Sequence, residues 1–169
     1  MSELNLVCLH FQECHLLPQL TSPLSEILGS HIFLGKVNPE LEKFLDEERR
    51  QYNAADIISN FEKNSRKRSK TILITSVDLY IPIFTFIFGL AKLNGITGIV
   101  SSCRLKKEFY GLPPDDELLI KRLVKEVIHE FGHLFNLRHC SNYKCVMASS
   151  NTADELDIKN QDFCLTCRK

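Results

Sequence analysis

The stretch His129-Glu130-Phe131-Gly132-His133-Leu134-Phe135-Asn136-Leu137-Arg138-His139-Cys140 decides how this chain is read. On a helix, His129 and His133 lie one turn apart on one face. Two imidazoles at that spacing bind one metal ion. Glu130, between them, can reach water beside that metal and take its proton. This is the pattern of a zinc peptidase. A third ligand must come from beyond the helix, because a helix cannot wrap around its own metal. Asn136 stands where a turn would end the helix, and asparagine is second only to glycine in tolerating positive φ. Past such a turn the chain swings back and carries His139 to the metal. The expectation is a three-histidine site with an open position, the catalytic kind of zinc site.

Upstream, the helix extends over about residues 116–135. Leu119, Leu123, Val127 and Leu134 form an apolar row, with Ile120, Val124, Ile128, Phe131 and Phe135 one row over. So wide an apolar face predicts a central, mostly buried helix. Asp115, Asp116 and Glu117 put negative charge at its start, where the macrodipole favours it. Downstream, Cys140 follows His139 directly, Cys145 comes five residues later, and Cys164-Leu165-Thr166-Cys167 closes the chain. Four cysteines in two close pairs predict a tetrahedral structural zinc site. The competing arrangements are two disulfides or unpaired buried thiols. Cys8, Cys14 and Cys103 lack such spacing and read as core residues.

The remaining elements place these motifs on a sheet. Residues 4–11 are almost continuously apolar and predict a central strand covered on both faces. Residues 16–28 predict a helix stopped by Gly29, and residues 32–37 a second strand. Residues 38–51 are ambiguous: Asn38-Pro39 looks like a helix start, with Leu41, Phe44 and Leu45 on one face. Asn53 caps a helix over 53–61. The basic run over 63–70 reads as a solvated loop rather than a nucleic-acid surface, since it has no interleaved aromatics. Residues 71–77 form a β-branched strand. Residues 85–90 and 96–101 predict two more strands joined through Asn94-Gly95. The order implies an α/β fold with a mixed, mostly parallel sheet and an antiparallel edge strand.

Composition agrees. The chain has 169 residues, 44% of them hydrophobic, with 21 basic and 21 acidic residues. That suits one domain with a real core, and zero net charge argues against a general role on nucleic acid or anionic membranes. No stretch is apolar and long enough to span a bilayer. The amino terminus shows no signal peptide, so the expectation is a cytoplasmic protein with reduced thiols, which favours metal over disulfides at the four cysteines. The same short amino-terminal region gives the expectation that no removable propeptide precedes the domain.

The sequence His129-Glu130-x-x-His133-x-x-Asn136-x-x-His139-Cys140-x4-Cys145-x-Met147, followed by Cys164-x-x-Cys167, resembles the archaemetzincins, zinc metallopeptidases of the metzincin type. Weaker likeness reaches upstream through Arg50-Gln51-Tyr52 and residues 75–80 towards residues 88–91. The resemblance implies that His129, His133 and His139 hold a catalytic zinc and that Glu130 is the general base. It implies that Cys140, Cys145, Cys164 and Cys167 hold a second, structural zinc. It places Met147 as an apolar floor under the catalytic metal. The family has glycine where this chain has Asn136. Some metzincins add a tyrosine ligand two residues after the methionine; Ser149 stands there, so none is implied.

The expected molecule is therefore a single metzincin-like domain. A subdomain of about 1–136 carries the long active-site helix, and a smaller zinc-bound one spans about 137–169. The expected activity is zinc-dependent hydrolysis of peptide bonds by a monomer, on short peptides or as an aminopeptidase. The alternatives are a zincin fold kept as a peptide-binding module with little proteolysis, and a nucleic-acid-binding zinc protein. Glu130 argues against the binding module, because a purely structural site needs no base; the nucleic-acid reading, which rests on the four cysteines and the basic run over 66–70, ranks last.

Overall fold

A computed structural model of the chain describes residues 3–65 and 69–168. In chain order it forms β1 (Leu4–Leu9), α1 (Leu17–Leu28), β2 (Ile32–Val37), β3 (Leu45–Asp46), β4 (Gln51–Asn53), α2 (Ala54–Asn64), β5 (Lys70–Thr75), β6 (Leu79–Tyr80), β7 (Gly89–Ala91), β8 (Thr97–Ser101), α3 (Asp116–Leu134) and α4 (Ala153–Ile158).

Five strands make one sheet in the order β2-β1-β5-β8-β7. Every pairing is parallel except β7 with β8. The expected α/β fold with an antiparallel edge is the observed one. Alternation along the strands sorts the core into two layers. Leu4, Leu6, Ile72, Ile74 and Val100 pack with α1 and α3. Val7, Leu9, Leu73 and Ile99 pack with Ala54 and Ile57 of α2. All six residues of β1 are buried, which is why its sequence reads as a continuous apolar run rather than an alternating one.

Three smaller strands, β3-β4-β6, form a separate sheet. Here the structure resolves what the sequence left ambiguous. Residues 38–51 hold no α-helix, only a short 3-10 turn over Glu42–Phe44 ahead of β3 and β4. Leu41, Phe44 and Tyr52 are apolar partners for the α2 layer, and an extended path delivers them there. The strand expected over 85–90 is likewise shorter. Only Gly89–Ala91 pairs in the main sheet, while Ile87 makes an isolated antiparallel bridge to Leu79. Of the basic run, residues 66–68 lie outside the described residues.

The helices start and stop as their caps dictate. Asn53 accepts from the amides of Ala55 and Asp56, and Asp115 accepts from Leu118 at 3.0 Å. Gly29 ends α1 at φ 59°. The end of α3 is the consequential one. Asn136 has φ 69°. Its amide donates to the His133 carbonyl at 2.9 Å, and the Leu137 amide reaches back to the Gly132 carbonyl at 2.8 Å. These two bonds close the helix in a left-handed cap and reverse the chain. Lys70 secures the same end, donating to the carbonyls of Leu134 and Gly95.

The left-handed conformation costs a residue with a Cβ about 1–2 kcal/mol unless its side chain is suited to it. Replacing Asn136 with Ala should therefore lower unfolding stability by about that much, while Asn136→Gly should leave it equal or higher. Urea denaturation of the two variants checks this.

Candidate metal centre

The reversal at Asn136 brings three imidazoles together. One ring nitrogen each of His129, His133 and His139 lies within 4.8 Å of the others, a grouping that could hold a metal ion. His129 Nδ1 donates to the Val146 carbonyl at 2.8 Å, and His133 Nδ1 donates to the Leu137 carbonyl at 2.8 Å. A carbonyl only accepts, so in the neutral rings the proton sits on Nδ1 and Nε2 keeps its lone pair. Burial pushes His129 down to about 3 and lowers His133 and His139 as well. Neutral rings are what a metal ligand requires.

The two Nε2 atoms of His129 and His133 face each other at 3.1 Å. Two opposed lone pairs repel unless a cation lies between them. Tetrahedral zinc with bonds of about 2.0–2.1 Å sets its nitrogens about 3.3 Å apart, close to that separation. The residues present fit a zinc ion.

Glu130 is buried beside them, and its Oε2 has no hydrogen-bond partner among the described residues. Burial raises its carboxyl well above the usual carboxylate range, and Glu126, one turn earlier on α3, raises it further. A Cβ at position 89 would come within 2.6 Å of Glu130 Oε1, so Gly89 leaves the room the carboxyl occupies. Met147 is fully buried under the helix. A Cβ at position 132 would overlap Met147 Sδ, so the bare backbone of Gly132 lets the methionine sit there.

The four clustered cysteines also converge. Their sulfur atoms lie within 4.8 Å of one another, with Cys140 and Cys164 3.7 Å apart. Tetrahedral zinc with Zn–S bonds of about 2.3 Å sets sulfurs about 3.8 Å apart. All seven cysteines of the chain are free thiols. The amide of Asn142 points at Cys140 Sγ, and that of Cys164 at Cys145 Sγ. Backbone N–H groups of Cys167 and Thr166 help bring the Cys164 thiol down to about 6. This donor set suits thiolates and a soft cation. Cys8 is buried in the core as expected, and Cys14 and Cys103 are half-buried.

Some residues at the site escaped sequence reading. Lys159, directly after α4, is 4% exposed, and its ammonium donates to the carbonyls of Ala148 and Val146. The Val146 carbonyl is also the one that orients His129. Glu126 lines the same cleft as the histidines, and burial pushes its carboxyl up to about 7. A lysine and a glutamate in a charged surface pattern carry no spacing signal of their own.

The cleft, with a volume of 710 Å³, runs between α3 and the 84–91 segment. The likeness noted around residues 50–52 and 75–80 has its place here. Arg49 donates to the carbonyls of Phe84 and Thr85, and Gln51 Nε2 to those of Thr85 and the Asp78 carboxylate. Arg104 holds Asp78 through two bonds of 2.8 Å and stacks on Phe86. These side chains fasten the upper rim where no strand ladder does.

The chain matches the family model described as peptidase family M54 over residues 33–169. It is 45% identical over 133 residues to an archaemetzincin of Pyrococcus horikoshii, covering 75% of this chain and 70% of that protein. It is 44% identical over 123 residues to an archaemetzincin of Thermococcus kodakarensis, covering 72% of this chain and 66% of the relative. Among solved structures, the archaemetzincin of Methanopyrus kandleri superposes with a TM-score of 0.85 at 33% identity, covering 98% of this chain and 91% of the other. A zinc-dependent peptidase of Methanocorpusculum labreanum gives 0.86 at 32% identity, covering 98% and 97%. The fold, the histidine and cysteine clusters and these likenesses agree: the chain belongs to peptidase family M54, the archaemetzincins, a family of zinc metallopeptidases.

Proposed function

We propose that the protein hydrolyses peptide bonds with a zinc ion held by His129, His133 and His139 and with Glu130 as general base. The observation that carries this reading is the unpartnered, buried Oε2 of Glu130 beside three neutral imidazoles. A carboxylate kept without a hydrogen-bond partner costs stability, and a structural zinc site has no use for it. It favours catalysis over a binding module that merely keeps the fold.

Zinc held there supplies Lewis acidity towards a water and a peptide carbonyl. The protein does the rest. β7 is the edge of the main sheet, and its outer face looks onto the cleft. An extended peptide adds to it as a further strand, which sets its carbonyl over the histidines. Glu130 takes a proton from the attacking water on its free oxygen and delivers it to the leaving amine. Gly89 lies against that carboxyl, which is 4% exposed.

A second zinc belongs to Cys140, Cys145, Cys164 and Cys167, in a carboxy-terminal subdomain of about 137–169 packed on a subdomain of about 1–136. Because His139 and Cys140 are adjacent, the cysteine site anchors the loop that presents the third histidine. The Cys140 amide bonds the Met147 carbonyl at 2.9 Å, which ties that loop to the methionine turn. The working form is a monomer in a reducing compartment such as the cytoplasm, where thiolates persist as ligands.

Glu130→Gln should retain both zinc ions and lower kcat on a peptide library by about 10²–10⁴-fold. Equal cleavage by the variant and the parent removes Glu130 from the chemistry. The double substitution Cys164→Ser/Cys167→Ser should lose one zinc outright and weaken the histidine site by about tenfold or more. Metal analysis after graded chelation reads this, and unchanged retention of the histidine-bound zinc overturns the coupling.

A further inference from the structure

We propose that Arg138 determines specificity by taking a carboxylate of the substrate, from an acidic side chain or from the peptide's carboxy terminus. The proposal rests on the peptidase reading above and adds a charge preference to it.

Arg138 stands between Leu137 and His139 and lines the cleft. Among the described residues that line it, Arg138 alone carries a fixed positive charge. Its guanidinium makes no hydrogen bond or ion pair among the described residues. Other arginines of the fold are committed. Arg49 donates to the Phe84 and Thr85 carbonyls, Arg104 holds Asp78, Arg122 holds Asp157 and Arg168 pairs with Asp162. Each of those fastens one part of the chain to another. Arg138 fastens nothing, and its five N–H donors remain available.

The backbone that carries it is held on both sides. The Leu137 amide donates to the Gly132 carbonyl at 2.8 Å, and the Leu137 carbonyl accepts from His133 Nδ1 at 2.8 Å. The Cys140 amide donates to the Met147 carbonyl at 2.9 Å. The exposed side chain of Arg138 thus leaves a fixed segment at the cleft. A planar fork on such a base loses little further freedom when it closes on a ligand.

Its place is at one end of the cleft. The Asn94 amide donates to the His133 carbonyl at 2.9 Å, which sets the Leu93 end of the rim beside the end of α3, where the chain reverses towards Arg138. Glu126 lies two turns earlier on α3, about 10 Å along the axis from His133. Both acids of the cleft, Glu126 and Glu130, are 4% exposed. Nearer Arg138 the rim is apolar, with Leu90, Ala91 and Leu93. Opposite charges attract more strongly beside such surfaces than in open water. A carboxylate accepts two parallel bonds from the guanidinium, a geometry an amide does not offer. An extended peptide rises about 3.3 Å per residue, so an acid one or two residues from the bond over the histidines comes within reach of the residue next to His139.

The test uses the zinc-loaded full chain and two series of short peptide hydroxamates. One series has the hydroxamate at the carboxy end, the other at the amino end with a free or amidated carboxy terminus. Within each, ligands differ only in glutamate against glutamine. Binding is measured by calorimetry, and cleavage with a matched peptide set. The parent should prefer the carboxylate of a pair by about 5- to 20-fold at low salt, and the preference should shrink at about 0.5 M salt. A preference that follows the side chain assigns an acidic residue; one lost on amidation assigns the carboxy terminus. Arg138→Gln should bring paired ligands within about twofold of each other, Arg138→Lys should keep part of the preference, and Arg138→Glu should invert it. A parent without the preference overturns the proposal, for Arg138 is then a solvated surface charge. So does an Arg138→Gln protein that keeps the preference, for the carboxylate then binds the metal. Selective binding without cleavage of any peptide sustains the role of Arg138 and refutes the peptidase reading. Cleavage without charge preference does the reverse.

Discussion

The site depends on one reversal of the chain. Helix α3 presents two histidines one turn apart but has no means of surrounding a metal. The left-handed residue at Asn136 ends the helix within a single turn of His133 and redirects the backbone. The same reversal sets the Leu137 carbonyl against His133 Nδ1. One backbone conformation therefore ends a helix, orients one imidazole and delivers another. Where the family has glycine, this chain has an asparagine, whose short polar side chain tolerates positive φ.

Behind the histidines, buried charge is balanced across elements rather than along one. Lys159 enters from the end of α4, Glu126 and Glu130 from α3, and the Val146 carbonyl from the loop between them. Lys159 and His129 share that carbonyl as acceptor. Arg122 adds a further clamp, holding Asp157 through bonds of 2.8 and 2.7 Å and the Leu105 carbonyl at 2.7 Å. Truncating one partner of such a group leaves a buried charge unpaired, so these contacts constrain geometry more than they add net stability. The result is a loop that seats Val146 and Met147 in the core beneath the helix and is tied down by these polar contacts.

The rim opposite is built by a different route. Its backbone between Phe84 and Ile87 has almost no ladder, and side chains from Arg49 and Gln51 take its carbonyls instead. β7 is left short, with an outer edge that faces the cleft. An edge so placed is a template onto which a peptide strand can add.

By itself, the sequence determined what local spacing and composition control. The histidine pair, its glutamate, the cysteine pairs, the cap residues and the apolar rows of α3 are all patterns within one element or one turn. The mostly parallel α/β sheet followed from alternating strands and helices. Tertiary structure decided the rest. Residues 38–51, ambiguous by local pattern, form a 3-10 turn and short strands, because burial of Leu41 and Phe44 against α2 outweighs weak propensity. The strand over 85–90 shrank to three residues, because Arg49 and Gln51, distant in sequence, supply its bonds. Gly89 and Gly132 gain their meaning only from Glu130 and Met147 opposite them. Glu126 and Lys159 come together behind the histidines from separate segments. Charge and hydrogen bonding act through space, and no period along the chain records which distant residue will be the partner.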